Sequence, residues 1–415
     1  MSVKVNISVS RPVPAINEEG LTLVVFRNAL QVDGLHEPIR INSLAELYQN
    51  FTAVDNAVVD FVAAKELYVA EYLLRAGVNL LCYAVLDAED GITAEDITAI
   101  SDIAVLNYKL VTVPYLFLTE GTTVGEVTTY PTDITRMIEF LNEHSVQLFL
   151  DVDPFLDAAD IEAIKEDLVA DLSAKLELVY NTGLTQFRTG QTGVTIPTDF
   201  EITTPGTYAE ATDFLGIPGS AAVYARKSLL LAAGKPEIPV AGEINGLIPE
   251  FTKLFVKLST AQKEALQAQN VNVLVTKIGV GNLFVSQNTM YVAAEDDLNN
   301  PLLRSHAVTQ ALYLERKHKV IADAALFQPN NQKTWDQLSL SVKALLTPEF
   351  KRGAIEDFKV LIGQGITMTA QDVANGIIRL ETRYVPVRPT EQIIISMVIQ
   401  ESTGSYQVTV AGGNL

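Results

Sequence analysis

The chain has 415 residues, of which 48% are hydrophobic, with a formal net charge of −20 and one cysteine. Such a chain can build two or three domains around a sizeable core. The lone Cys82 excludes an intrachain disulfide framework and any zinc site made of several cysteines, and no apolar run approaches the length of a membrane span. The N-terminus lacks the basic-then-apolar pattern of a secretory signal, so export by that route is not expected. Between Asp87 and Glu177 there are 20 acidic and 4 basic residues, whereas Pro301 to Leu415 holds 10 and 12. The acidic stretch reads as a solvated outer surface that opposes phosphate backbones, so no nucleic-acid partner is expected. The near-neutral C-terminal region is where subunit contacts are expected.

In chain order, Val3, Val5, Ile7 and Val9 alternate with polar residues, and Arg11-Pro-Val-Pro14 cuts this strand-like piece off from the next segment. Leu21 to Phe26 reads as a strand. Ile39 to Phe51 passes from strand to helix, with Ser43 and Glu46 spaced as a capping box. Residues 56–76 carry a helical apolar stripe that stops at Gly77. Strands at 79–86, 110–118 and 146–152 alternate with helices at 93–108, 132–143 and 158–180, the pattern of a layered α/β body. Residues 181–219 break the rhythm with Thr, Gly and Pro and read as a β-rich excursion. Helices are expected at 221–233, 259–268, 304–327 and 333–346, with a strand at 271–278. Gly376 to Val385 and Glu391 to Gln400 read as two strands joined by a rigid Pro-Val-Arg-Pro-Thr turn. After the break at Glu401–Gly404, Tyr406, Val408 and Val410 lie on one side of a last strand.

Both chain ends are thus strand-like arms on breakers. An unpaired strand is unstable in water. Either the arms fold back onto their own subunit, or they add to a sheet edge on another chain.

Chemistry is sparse. None of His36, His144, His306 and His318 falls in a helix-borne zinc pattern; His318, on the apolar stripe of the long helix, reads as a satisfied buried or interface residue. Asp151, Asp153, Asp157 and Asp160 follow a strand, where α/β enzymes place carboxylates, but Leu156 stands where a calcium loop needs glycine. Gly279-Val-Gly281 and Gly363-Gln-Gly365 lack the third glycine of a nucleotide fingerprint. No cofactor is expected, and the chain reads as a structural protein. The different-class alternative is a metal-dependent α/β hydrolase using Asp151 and Asp153.

One ordered set of motifs resembles a known family. Ile238-Pro-Val-Ala-Gly-Glu-Ile-Asn-Gly246 is followed by Leu258-Ser-Thr-Ala-Gln262, Gln269-Asn-Val-Asn-Val-Leu-Val275 and Asn288-Thr-Met290. The long helix comes next, then Gln328-Pro-Asn-Asn331 with Trp335, and Pro386-Val-Arg-Pro-Thr-Glu391 before the last strands. This succession resembles the tail sheath proteins of contractile-tailed bacteriophages over about residues 220–400, and more loosely over 40–90. Ser286-Gln replaces the usual Trp-Gly ahead of Asn288-Thr.

The resemblance implies a homo-oligomer of hexameric rings stacked helically around a tail tube, contacting tube, baseplate and tail terminator proteins, with no membrane insertion. It implies a virion component assembled in the host cytoplasm, or the sheath of a phage-derived injection particle or secretion system. It divides the chain into an N-terminal arm (1–20), an outer acidic α/β domain (21–240, with the excursion 181–219), a mixed-sheet core domain (241–400) and a C-terminal arm (401–415). The arms, carried by Val3, Val5, Ile7, Val9, Tyr406, Val408 and Val410, would be exchanged between subunits. They would complete a sheet built on Ile378, Leu380, Ile393, Ile395 and Val398. The charged stretch with Lys333, Lys343, Lys351, Arg352, Glu356 and Asp357 is the candidate tube-facing surface.

Overall fold

The computed structural model describes residues 20–32, 34, 36–55, 58–59, 61–87, 90–104, 110–119, 121–124, 127–168, 172–185, 216–292, 300–389, 394–401 and 404–411. Residues 1–19 of the first arm and residues 186–215 of the β-rich excursion lie outside these residues.

Among the described residues nine strands form the main sheet. They are β1 (Thr22–Phe26), β2 (Ile39–Ile41), β3 (Leu80–Ala84), β4 (Leu110–Thr112), β5 (Phe117–Leu118), β6 (Gln147–Val152), β7 (Leu176–Tyr180), β8 (Asn272–Lys277) and β9 (Gly281–Phe284). The spatial order is β9-β8-β7-β6-β4-β1-β3-β2, with β5 beside the end of β6. The six central strands run parallel, and β2 and β9 close the two edges antiparallel. Central parallel strands are covered on both faces, so their sequences are apolar at consecutive positions. In β1, Leu23 and Val25 enter one core while Val24 and Phe26 enter the other.

The helices of this body are α1 (Leu44–Asn50), α2 (Phe61–Arg75), α3 (Ala94–Ala104), α4 (Thr132–Glu143), α5 (Ala158–Asp167), α6 (Gly219–Ala232), α7 (Gly242–Asn245) and α8 (Thr260–Ala268). Apolar residues of α3, α4, α5 and α8 pack on one face of the sheet, and those of α1, α2 and α6 on the other. The result is a three-layer α/β/α sandwich.

The helix-start signals act as their chemistry dictates. Ser259 Oγ accepts from Gln262 N and the Gln262 side chain accepts from Ser259 N, a reciprocal cap. At α1 the Ser43 half of the box forms, but Glu46 turns to the Asn42 amide instead, at 2.8 Å. Gly77 ends α2 at φ +87°, where any Cβ would be strained.

A second, smaller body follows. The α9 helix (Ser305–Asp323) and α10 (Gln332–Lys351) pack against an antiparallel ribbon of β10 (Ile355–Ile362) and β11 (Leu380–Pro386), with the short helix α11 (Ala370–Ala374) between those two strands. Leu314, Val342, Leu346 and Ile355 form its core, flanked by Phe358, Val360, Leu380 and Tyr384. The last element is a hairpin of β12 (Ile394–Glu401) and β13 (Gly404–Ala411), paired from Ile394↔Ala411 to Glu401↔Gly404.

Four expectations are corrected. The helix expected over 158–180 stops at Asp167, and Leu176–Tyr180 is a central strand whose five residues are all buried. The strand expected at 110–118 is broken by a turn in which Tyr115 takes φ +58°. The boundary at 240 does not separate two bodies, because β8 pairs in parallel with β7 and carries β9 into the main sheet. The change of body falls at the start of α9. Finally, 380–386 and 394–401 do not pair with each other; each has found a different antiparallel partner.

Candidate assembly interface

The second body is fixed to the first through buried polar groups around the start of α9. Glu177 on β7 and Lys227 on α6 form an ion pair at 3.4 Å with side chains 0% and 2% exposed. Ser305 accepts from Lys227 and donates to Glu177. Lys227 Nζ also reaches Thr309 Oγ1 at 2.8 Å, and that hydroxyl donates to Gln147 Oε1 at 2.8 Å. Gln147 Nε2 and Asn272 Nδ2 complete the Glu177 carboxylate at 3.3 and 3.4 Å. Burial pushes the Glu177 carboxyl up and the Lys227 ammonium down, and each charge is the other's main counterweight. Within the second body Gln310 donates to Ala354 O at 2.9 Å, and Arg352 bridges Glu349 of that body to Glu237 of the first. The angle between the two bodies is therefore set by directional bonds, not by apolar contact alone.

Further along α9, His318 stands between Leu314 O (2.6 Å) and Thr382 Oγ1 (3.0 Å), satisfied at a helix–strand contact as its place on the stripe suggests. His306 faces Val387 O at 3.3 Å, and burial lowers its pKa to about 4.

The carboxylates singled out for chemistry do not converge. Asp151 is buried and accepts from the Ser220 amide at 3.0 Å and from the Ser220 hydroxyl, which moors the first turn of α6 to β6. Asp153 accepts from Phe155 N at 2.9 Å, and Asp157 and Asp160 cap α5 reciprocally. Among the described residues no group of three or more His, Cys, Asp or Glu is placed to hold a metal ion.

Burial pushes the Asp151 carboxyl from its ordinary 3.8 up to about 7, against the opposing pull of the Ser220 bonds. A carboxyl whose folded pKa is raised stabilises the fold fully at low pH, and that contribution is lost as pH rises through the folded value. The melting temperature of the wild type should therefore fall between about pH 4 and pH 7 relative to Asp151→Asn. Parallel melting curves across that range would contradict this assignment.

The strand residues expected to carry assembly fall on two separate ribbons. Tyr406, Val408 and Val410 sit on β13 opposite Ile399, Met397 and Ile395 of the same chain. Within one chain the last strand thus has a partner, the first of the two arrangements that the sequence leaves open. Val398 lies opposite Gln407. Leu380 opens β11 opposite Ile362, and Ile378 lies two residues before it. Val3, Val5, Ile7, Val9 and Ile393 lie outside the described residues. The sequence reading missed β10 altogether. Its alternation of Phe358, Val360 and Ile362 was the available signal, and the register shift between Ile355 and Asp357 hides it.

Two open ribbons result. Among the described residues β10–β11 pairs with no third strand, and neither does β12–β13. Each therefore presents backbone donors and acceptors along its edges. Lys333, Lys343 and Lys351 are all exposed, and at 100° per residue they span an arc of about 80° on α10, away from its buried face. Exposed Glu356 and Asp357 lie nearby in sequence on β10.

No protein-family model matches the chain, and no curated protein sequence matches it significantly. The fold does match solved structures over its whole length. A chain of the anti-feeding prophage (AFP) helical sheath in its contracted state aligns with TM-score 0.62 and 18% identity, over 97% of this chain and 98% of that one. The chain has the contractile-sheath fold. A chain of the AFP baseplate carries the same fold, with TM-score 0.67 and 17% identity over 97% and 98% of the two chains. The sheath tail protein of Desulfitobacterium hafniense aligns over 100% of both chains with TM-score 0.54 and 11% identity. Both bodies and the terminal hairpin lie within this common sheath fold. No described helix is long and apolar enough to cross a membrane.

Proposed function

We propose that this chain is the structural subunit of a contractile tail sheath, built from copies of itself in stacked hexameric rings around a tail tube. Contraction of the sheath drives the tube through a host envelope. The observation that carries this reading is the alignment of 97% of the chain with a subunit of a contracted helical sheath. Catalysis has no part in it, since Asp151 and Asp153 are occupied by bonds that hold the backbone. The baseplate, tube and terminator proteins are its partners, and the sheath is a virion component assembled in the host cytoplasm. A second reading, the sheath of a phage-derived injection particle, is favoured by the two AFP alignments. A producing cell that releases headed virions supports the first reading, and one that releases headless particles supports the second.

In the proposed assembly, β13 leaves its own hairpin and pairs in the same register with β12 of a neighbouring copy. Eight facing positions offer backbone bonds worth about 1 kcal/mol net each. The same bonds already exist within the hairpin, so exchange leaves their number unchanged, and what the assembly gains is a backbone-paired link between copies at every subunit. The segment with Val3, Val5, Ile7 and Val9 would be donated likewise. The lysine side of α10 would face the tube, and the acidic 87–177 region would face outward. Negative-stain microscopy of the purified protein tests the reading: long hollow cylinders support it, and a protein that stays monomeric at every salt and crowding condition refutes it.

A further inference from the structure

We propose that Phe327 of one copy docks into the cleft beside α5 and α8 of another copy, a head-to-tail contact between subunits that rests on the proposed self-assembly. The Phe327 side chain is fully exposed, at 103% of its reference area, and Leu326 beside it is 60% exposed. Its backbone takes φ +62°, a conformation that glycine adopts freely and a phenylalanine adopts under strain. The ring is held on a firm base. Gln328 N donates to Ala325 O at 3.1 Å, Asn330 Nδ2 to Val373 O at 3.2 Å, and Trp335 Nε1 to Asn330 Oδ1 at 2.7 Å. A large apolar side chain kept in water on a braced turn loses little freedom on docking, which suits an interface anchor.

The same chain carries a receptor for it. A cleft of about 440 Å³ is lined by Leu172, Met290, Tyr291 and Leu303, with Glu162, Lys165 and Glu166 among its walls. Met290 is buried and Leu172 half-buried, while the two glutamates are exposed. From residue 319 to 333 the exposed Lys319 and Lys333 outnumber exposed Asp323, and in the cleft Glu162 and Glu166 outnumber Lys165, so the two surfaces carry opposite net charge. Leu303 precedes α9 and Phe327 follows it, so this 19-residue helix holds knob and cleft about 28 Å apart at 1.5 Å per residue. One chain cannot close the contact on itself. A contact between unlike surfaces propagates from copy to copy, as a ring or helical stack requires.

The test uses full-length protein assembled into tubes. Phe327→Cys combined with Tyr291→Cys, treated with a short bis-maleimide, should give a ladder of covalent multimers, and neither single variant should. Cys82 is buried and stays silent. Phe327→Ala should melt as the wild type does, yet need about tenfold more protein to form tubes. Tubes that form normally in both variants without a ladder overturn the docking and leave the sheath reading standing. Wild-type protein that forms no tubes removes the reading on which the docking rests, and the docking with it.

Discussion

Lys227→Met should cost the folded chain about 3–5 kcal/mol, because it leaves the Glu177 carboxylate buried without its cation. The loss should exceed that of an ordinary apolar truncation on α6, because four further polar groups are arranged around the same ion pair. Gln147, Asn272, Ser305 and Thr309 come from β6, β8 and α9, and so from both bodies. The double variant Lys227→Met with Glu177→Leu should recover most of the stability, since a buried pair replaced as a unit by apolar side chains of similar volume is often neutral. Urea unfolding of the three proteins checks both statements. If the single variant loses less than about 1 kcal/mol, the pair does not hold the joint. Because Ser305 and Thr309 lie in the first turns of α9, the single variant should also loosen the second body, seen as faster amide exchange along α9.

Removal of residues 402–415 should abolish tube formation and leave the two bodies folded. The strand that is lost, β13, pairs only with β12 among the described strands and adds no strand to the main sheet. A two-stranded ribbon is marginal by itself, so its loss should shift the melting of the bodies little. If strands are exchanged, the assembly loses a backbone-paired link at every subunit. The expected result is a monomer of near wild-type melting behaviour that forms no cylinders by microscopy. Ordered tubes from the shortened chain would refute the exchange.

The layered α/β body was legible because its signals are local. Gly77 ends α2, Ser259 and Gln262 cap α8, and α4 occupies the residues read for it, 132–143. Leu176–Tyr180 escaped because Leu-Glu-Leu-Val-Tyr is compatible with the end of an apolar helix. Only the burial of all five residues between β6 and β8 makes it a strand. The partnerships of the last strands were not legible, since strand pairing is decided by which edges meet and not by the alternation within each strand. Pro386 and Pro389 suggested a turn between two neighbours, yet β11 turned to β10 and β12 to β13. The joint was invisible for a similar reason. Glu177, Lys227, Ser305 and Thr309 are scattered far apart along the chain, and no spacing connects them. Phe327 belongs to no periodic stripe, so its importance appears only once its exposure is known.

The exchange of β13 is read most directly by a cysteine pair at Met397 and Val408, which face each other across the hairpin. Facing positions of an antiparallel pair lie within disulfide reach. Oxidised as a dilute monomer, Met397→Cys with Val408→Cys should close within one chain. Oxidised in assembled tubes, it should link chain to chain and run as a covalent ladder on a denaturing gel. Tubes that give only the single-chain band would contradict the exchange.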